Sequence, residues 1–463
     1  MLFSSMTFLF LFLPAVCAVY YLVPKRLKND VLLASSFFFY AWGEPHYVFI
    51  MILSVFINYA GALLIEKTNF KKLFLALTIL LNLGFLGYFK YFNFLAENIN
   101  LLLRRDIDPL KIIMPIGISF YTFQAMSYVI DVYRKTAPAQ KNIYNLALYI
   151  VLFPQLVAGP IVKYHDIAAQ IDGREEDIDK VYRGILRFIG GLAKKVMIAN
   201  TLGAVADEIF AADLQYISVF LAWIGALAYM FQIYFDFSGY SDMAIGLCLV
   251  FGFKIPENFN YPYVSKSITE FWRRWHISLS TWFKQYLYIP LGGNRISKAR
   301  TAVNLMIVFL VTGFWHGASW NFILWGFWHG CFIIIEKLSG LNTEKPGIFR
   351  NALLRGYAML VVVLGWVMFR ADTLPAAAAY FKKMFGLIPD KYAALNPVYY
   401  VDGQELLAFA FAVLLSTPAA RNFFDARGKY RSAAVQIVML VLFLISASMI
   451  AAGTYNPFIY FRF

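Results

Sequence analysis

Uncharged apolar runs of membrane-spanning length recur along this chain, beginning with the first 24 residues, which carry no charge at all. A spanning helix needs about 20 apolar residues. In lipid every backbone N–H and C=O must be satisfied within the structure, so such runs fold as helices. Clear candidates are Ser5–Val23, His46–Ile65, Leu73–Phe92, Tyr144–Ala158, Ile217–Phe237, Ala302–Trp315, Trp320–Ile335, Ala352–Phe369 and Ala434–Ala452. Weaker ones are Val31–Trp42, Ile112–Val129, Val181–Ile198, Tyr240–Phe251 and Leu406–Leu415. Some of these read as re-entrant or broken helices, which survive at depth only inside protein or beside a wet cavity. The expected class is an all-α polytopic membrane protein.

Charge supports that class. Hydrophobic residues make up 60% of the 463 and charged ones only 15%, against about 45–50% apolar in a soluble protein. The 41 Lys and Arg outnumber the 27 Asp and Glu, giving +14. In a soluble chain that excess suggests nucleic acid. Here the basic residues cluster in short loops, at Lys25, Arg26 and Lys28, at Lys67, Lys71 and Lys72, and at Lys194 and Lys195. That is the positive-inside pattern, with membrane lipid as the partner and no nucleic acid expected. If the first two clusters face the cytoplasm, two segments lie between them and the N-terminus is outside. Cys17, Cys248 and Cys331 show no pairing by spacing, so neither a disulfide framework nor a zinc site is indicated. The first apolar run lacks a positive start and is followed by Lys25, which reads as a retained helix rather than a cleaved signal. Loops are expected at Leu341–Gly347 and Leu387–Gln404, and neither divides the chain. It reads as one membrane domain, with N-terminal helices over 1–110, a chemical core over 111–340 and C-terminal helices over 341–463.

Ionisable groups at bilayer depth are costly and mark function. His316 ends the apolar run from Ala302, in Gly313-Phe314-Trp315-His316-Gly317. His276 lies in Phe271-Trp272-Arg273-Arg274-Trp275-His276. Histidine is the side chain best placed to move protons near neutral pH. Pro256 and Pro262 make Asn258-Phe259-Asn260-Tyr261 a loop, and a continuous helix is expected from Ile268 to Tyr288. On it Trp272, Trp275, Leu279, Trp282 and Tyr286 form one stripe, with Arg273, His276, Ser280 and Lys284 opposite. Cations beside His276 would lower its pKa and favour a proton-accepting imidazole. The plain alternative is an interfacial amphipathic helix with its basic face on headgroups. Pro290-Leu291-Gly292-Gly293-Asn294-Arg295 reads as a tight turn in preference to a phosphate cradle. The glycines around His316 permit close approach of a backbone or ligand. His329 lies 13 residues on, about 220° around a continuous helix, so the two histidines share a face only if the glycines break it. Each has a bland account as a satisfied core histidine. Asp236 and Asp242 could orient a histidine or hold a cation, or serve as caps, with Ser238 or Asp242 as candidate caps. Asp131, near Tyr133 and Arg134, reads as a helix end at the interface.

Taken together, these segments resemble the membrane-bound O-acyltransferase (MBOAT) superfamily, and within it the bacterial branch that holds the alginate O-acetyltransferase membrane subunit. The resemblance rests on Pro115 to Gln124, Phe153 to Pro160, Tyr234 to Asp242, Pro256 to Phe259, Glu270 to Ser280, Tyr288 to Arg295 and Gly313 to Gly330. It implies a ring of about 11 transmembrane helices, plus re-entrant and interfacial helices, around a central tunnel. It implies that His316 is the catalytic histidine and that His276 is a second catalytic histidine lining the same tunnel. Donor or substrate contacts fall to Trp272, Arg273, Arg274, Trp275, Asn258, Arg295, Trp315 and Asn321, with Asp236 and His329 in support. The implied activity is acyl transfer from a cytosolic thioester, acetyl-CoA, to hydroxyls of an extracellular or periplasmic polysaccharide. No metal or bound cofactor enters this scheme. No Gly-Asp-Ser nucleophile motif occurs, so a secreted or membrane-anchored transferase of the SGNH-hydrolase type is the implied partner. The expected location is the bacterial cytoplasmic (inner) membrane, crossed many times. The rivals are D-alanyl transfer to teichoic acid, and a transporter or export subunit. The latter lacks the paired interrupted helices that transporters show.

Overall fold

The computed structural model describes residues 1–157, 159–340, 347–389, 399–419, 432–453, 455–457 and 459. Its regular structure among these residues is entirely helical: α1 (Phe8–Leu22), α2 (Lys28–Gly43), α3 (Val48–Lys67), α4 (Lys71–Leu103), α5 (Ile118–Tyr133), α6 (Ile143–Val151), α7 (Tyr164–Asp172), α8 (Ile178–Ala211) and α9 (Val219–Val250). Then come α10 (Ile268–Arg274), α11 (Ile277–Phe283), α12 (Lys298–His316), α13 (Trp320–Ser339), α14 (Ile348–Arg370), α15 (Leu374–Met384), α16 (Gly403–Leu415) and α17 (Ala433–Ala451). Among the described residues, eight helices are long and apolar enough to cross a membrane: α3, α4, α8, α9, α12, α13, α14 and α17. The apolar α1 and α16 are shorter. The polytopic all-α expectation therefore stands.

The helices group into two compact units, residues 1–188 with 241–256, and residues 189–240 with 257–463. In the first, Phe3, Phe8, Phe12, Phe39 and Phe153 form a contiguous aromatic core, with Phe12 and Phe153 edge to face at 5.3 Å. Apolar spans carry few polar groups, and some of those present pair across helices. Asn58 of α3 and Asn82 of α4 exchange amide hydrogen bonds of 3.1 and 2.9 Å, both side chains being buried. His165 Nδ1 lies 2.7 Å from buried Asp131, near the end of α5.

Several sequence expectations change. Ile217–Phe237 and Tyr240–Phe251 are one continuous helix, α9, so Ser238 and Asp242 are not caps. Gly239 does not break α9. A Cβ there would lie 2.7 Å from the Gly191 carbonyl oxygen, so the glycine lets α8 and α9 touch backbone to backbone. Asp242 instead holds Arg187, at 3.0 and 2.8 Å. Tyr144–Ala158 is not one span: α6 stops at Val151, a single turn follows at Phe153–Leu156, and Ala158 lies outside the described residues. Lys195 is not in a headgroup-facing loop. It is buried, in a π-helical turn (Lys194–Ala199) within α8. Of the two expected loops, 341–346 and 390–398 lie outside the described residues. Gly403 and Gln404 are already helical, because Asp402 caps α16 through the Gln404 N–H.

In the second unit, α12 and α13 form an antiparallel hairpin. Gly313 and Gly326 face each other across it, and a Cβ on either would collide with a main-chain carbonyl, that of Phe322 or that of Phe309. Small residues let spanning helices approach this closely.

Candidate active site

Every candidate site residue belongs to the second unit. His316 is the last residue of α12, and the extended Gly317 turns the chain toward α13. Ser319 caps α13 through the Asn321 N–H, at 3.2 Å. The His316 ring is buried among Trp315, Trp325 and Phe369, with centroids at 5.0, 5.2 and 5.3 Å. Because the chain reverses at Gly317–Ser319, the 220° argument does not apply. Trp325 touches His316 on one side and His329 on the other, at 5.0 Å. His329 is fully buried, and Trp272 packs edge-on against it at 5.4 Å. Gly365 leaves room for its ring, since a Cβ there would lie 2.9 Å from Nε2.

The expected helix from Ile268 to Tyr288 breaks at Trp275–His276. Its halves are α10 and α11, with a π-helical turn at Lys284–Tyr288. His276 sits in the left-handed region, φ 43° and ψ 55°. Such strain persists only where neighbours impose it, and it collects at functional sites. Asn258 imposes it here. Its carbonyl oxygen accepts the Ile277 N–H at 2.9 Å, and its Oδ1 accepts the Ser278 N–H and hydroxyl at 3.3 and 2.9 Å. The same Oδ1 lies 3.1 Å from His276 Nδ1. An atom that accepts a backbone N–H is the carbonyl oxygen, so Nδ1 carries the hydrogen and Nε2 the lone pair. The break also turns His276 off the basic face and buries it completely. It lies outside the eight spans, and burial alone lowers its pKa to about 3. Desolvation therefore keeps the imidazole neutral, where the sequence suggested neighbouring cations. Trp315 stands between the two histidines, 6.2 Å from the His276 ring and 5.0 Å from that of His316.

The remaining candidates separate into two groups. Trp272 and Arg273 line a cavity of about 240 Å³, whose wall includes Thr269, Ser280, Lys284, Phe309 and Thr312. Thr312 is one helical turn before His316 on α12. A neighbouring cavity of about 290 Å³ shares Leu305 and adds Lys298 and Lys337. Trp275 is buried against Trp366 at 4.8 Å. Arg274 is engaged elsewhere, with Glu270 at 2.9 Å and the Asn260 carbonyl at 3.1 Å. Arg295 is exposed on the turn before α12. Asn321 is buried and ties α13 to the Ala371 carbonyl at 2.5 Å.

Asp236 holds a cation, as one reading of the sequence allowed. That cation is the Lys195 ammonium, at 2.6 Å, and both side chains are 2% exposed. Its other oxygen accepts the Ile459 N–H at 2.9 Å, while Lys195 reaches Asn200 at 2.9 Å and the Pro457 carbonyl. The buried pair thus clasps a C-terminal segment. Beside it lies a cavity of about 180 Å³ lined by Asp207, Gln232, Ser319, Phe322, Phe369 and Arg370, with Tyr455 and Pro457. Arg370 and Tyr455 both bond Asp207. Phe369 faces this cavity and also packs on His316. Sequence reasoning missed Lys195, Thr312 and Phe369. None of these stood out in the sequence: Lys195 reads there as one more basic residue of a loop cluster, and Thr312 and Phe369 as members of apolar runs.

The sequence profile of the MBOAT, membrane-bound O-acyltransferase family matches residues 69–371. A probable alginate O-acetylase AlgI of Pseudomonas putida is 42% identical, over 100% of both chains. Its counterpart in Pseudomonas aeruginosa is 44% identical over 89% of this chain and 81% of its own. The peptidoglycan O-acetyltransferase of Helicobacter pylori is 38% identical over 84% and 80% respectively.

Proposed function

Because the chain belongs to the membrane-bound O-acyltransferase family and is an O-acyltransferase, we propose that it takes an acetyl group from cytosolic acetyl-CoA and passes it across the membrane for O-acetylation of an envelope polysaccharide. The observation that carries this reading is the place of His316. Thr312, one helical turn before it on α12, lines one cavity with Arg273 and Lys284, and Phe369, which packs on the His316 ring, lines another with Asp207 and Arg370. The thioester enters the first cavity, its phosphates against Arg273, Lys284 and the neighbouring Lys298. The acceptor hydroxyl comes from the second. His316 removes the hydroxyl proton as the oxygen attacks the thioester carbonyl. The tetrahedral adduct then expels the thiolate, and the histidine returns the proton to it. His276, neutral with its lone pair on Nε2, positions the donor or shares that proton. Trp272, Trp275, Trp315, Asn258 and Asn321 hold the walls in place, and His329 supports Trp325 and Trp272.

The reading needs both cavities to reach the imidazole as one tunnel, and Phe369 is the ring that must swing aside. A ring of about 11 spanning helices in the bacterial inner membrane would house that tunnel. The polymers in the relatives' names are alginate and peptidoglycan, so a glycan hydroxyl is the final acceptor. A secreted or anchored SGNH-type transferase completes delivery. In the test, His316→Ala is expressed at the normal level in the native bacterium, and ester-linked acetate on the polymer is measured. Its loss is expected, and unchanged acetylation removes His316 from this role. Radiolabelled acetyl-CoA with the purified protein in liposomes separates chemistry from transport, because label accumulating inside without ester formation would mark a transporter.

A further inference from the structure

We propose that Glu336 is a positioning residue that fixes the wall of the Trp272 cavity and, through it, the packing around His316. This rests on the reading of that cavity as the donor site. A carboxylate inside a spanning helix is costly unless it is fully hydrogen-bonded. Glu336, on α13, is completely buried and accepts four hydrogen bonds. One oxygen takes the Ile268 N–H at 2.5 Å and the Tyr357 hydroxyl at 3.2 Å. The other takes the Thr269 N–H at 2.9 Å and its hydroxyl at 2.7 Å. Ser267 takes the next N–H, that of Glu270, at 3.0 Å. The start of α10 is thereby bolted to α13.

Trp325, His329 and Glu336 lie on one face of α13, at spacings that bring them beneath one another. Along that face α10 lays Trp272, at 5.6 Å from Trp325 and 5.4 Å from His329. Trp325 in turn abuts His316 at 5.2 Å. A shift at Ile268 and Thr269 is therefore passed to Trp272 and Arg273, which line the cavity, and by one further ring to His316. Charge matters because each carboxylate oxygen accepts a main-chain N–H. A glutamine has one acceptor oxygen and must turn its NH₂ toward the other N–H, which pushes α10 off its seat.

The experiment uses full-length protein in liposomes with acetyl-CoA as the probe, comparing Glu336→Gln, Tyr357→Phe and wild type. For Glu336→Gln we expect the acetyl-CoA KM to rise about tenfold or more, the pattern of lost donor binding, with a smaller fall in kcat from the shift passed on to His316. Tyr357→Phe removes one donor and no cavity contact, so it should raise KM by only about two- to threefold. An unchanged KM in both variants overturns the proposal, as does a fall in kcat with KM unaltered. Should Glu336→Gln fail to fold, Tyr357→Phe alone carries the test. Maleimide labelling of Ser280→Cys, in the cavity wall, needs no turnover. A labelling rate altered by Glu336→Gln supports the positioning role even if acetyl-CoA proves not to be the donor, and an unaltered rate overturns it.

Discussion

Substituting Gly313 by alanine tests how His316 is held. A Cβ at Gly313 would fall on the Phe322 carbonyl carbon and oxygen, and within 3.3 Å of the Gly326 Cα. These are backbone atoms, so no rotamer change relieves the overlap. The α12–α13 hairpin must open by about 1 Å to restore ordinary contact. Overpacking of this kind costs about 1–3 kcal/mol, and alanine returns up to about 1 kcal/mol of helix propensity. With that returned, the net loss expected is up to about 2 kcal/mol, which at its upper end lowers the melting temperature by a few degrees. With His316 as the base proposed above, activity should suffer more, since it is three residues on and a misplacement of about 1 Å can cost about 10²-fold in rate. Gly356→Ala is the control. It lies within α14 with nothing within 4 Å of the added methyl, so it should leave activity intact and stability unchanged or slightly raised. Melting of the detergent-solubilised protein and polymer-bound acetate after complementation measure both. A Gly313→Ala protein that melts like the wild type and acetylates normally refutes the reasoning, as does a Gly356→Ala protein that is equally damaged.

Two further outcomes follow from buried ionisable groups. Lys195→Met or Asp236→Leu alone leaves a charge with no counter-charge in the 2.6 Å pair and should cost about 3–5 kcal/mol, while the double substitution recovers most of it; thermal melts of the three variants show whether it does. His276 has a folded pKa of about 3 against an ordinary 6.5, so between those values the unfolded chain binds more protons and stability falls as the medium is acidified. Above pH 6.5 this contribution is fully present and flat. Melting temperature followed from pH 8 to pH 4 should fall less steeply in His276→Gln than in wild type, and parallel curves would remove His276 as the cause.

Much of the site was legible as local pattern. The aromatic-rich string ending in His276 and the glycine-flanked His316 stood out because polar groups are rare in apolar runs. Both proved buried, in one unit. The break at His276 was not legible. The stripe from Trp272 to Tyr286 fits a continuous helix, and only Asn258, arriving from a separate loop, bends the backbone into the left-handed region. Arg273 and Arg274 are adjacent and alike in sequence. Glu270 and the Asn260 carbonyl engage one, and the other lines the cavity.

By itself, the sequence settled that the chain is helical and crosses a membrane, because apolar length and missing charge are local properties that hydrocarbon reads directly. It also marked the histidines and glycines. Tertiary structure decided which charges are buried and with whom: Lys195, which in sequence resembles its exposed counterparts in the loops, is enclosed with Asp236, and Glu336 is spent on the first N–H groups of α10. Those outcomes depend on partners tens to hundreds of residues away. Burial free energy is a property of the assembled environment, and no window of neighbouring residues contains it.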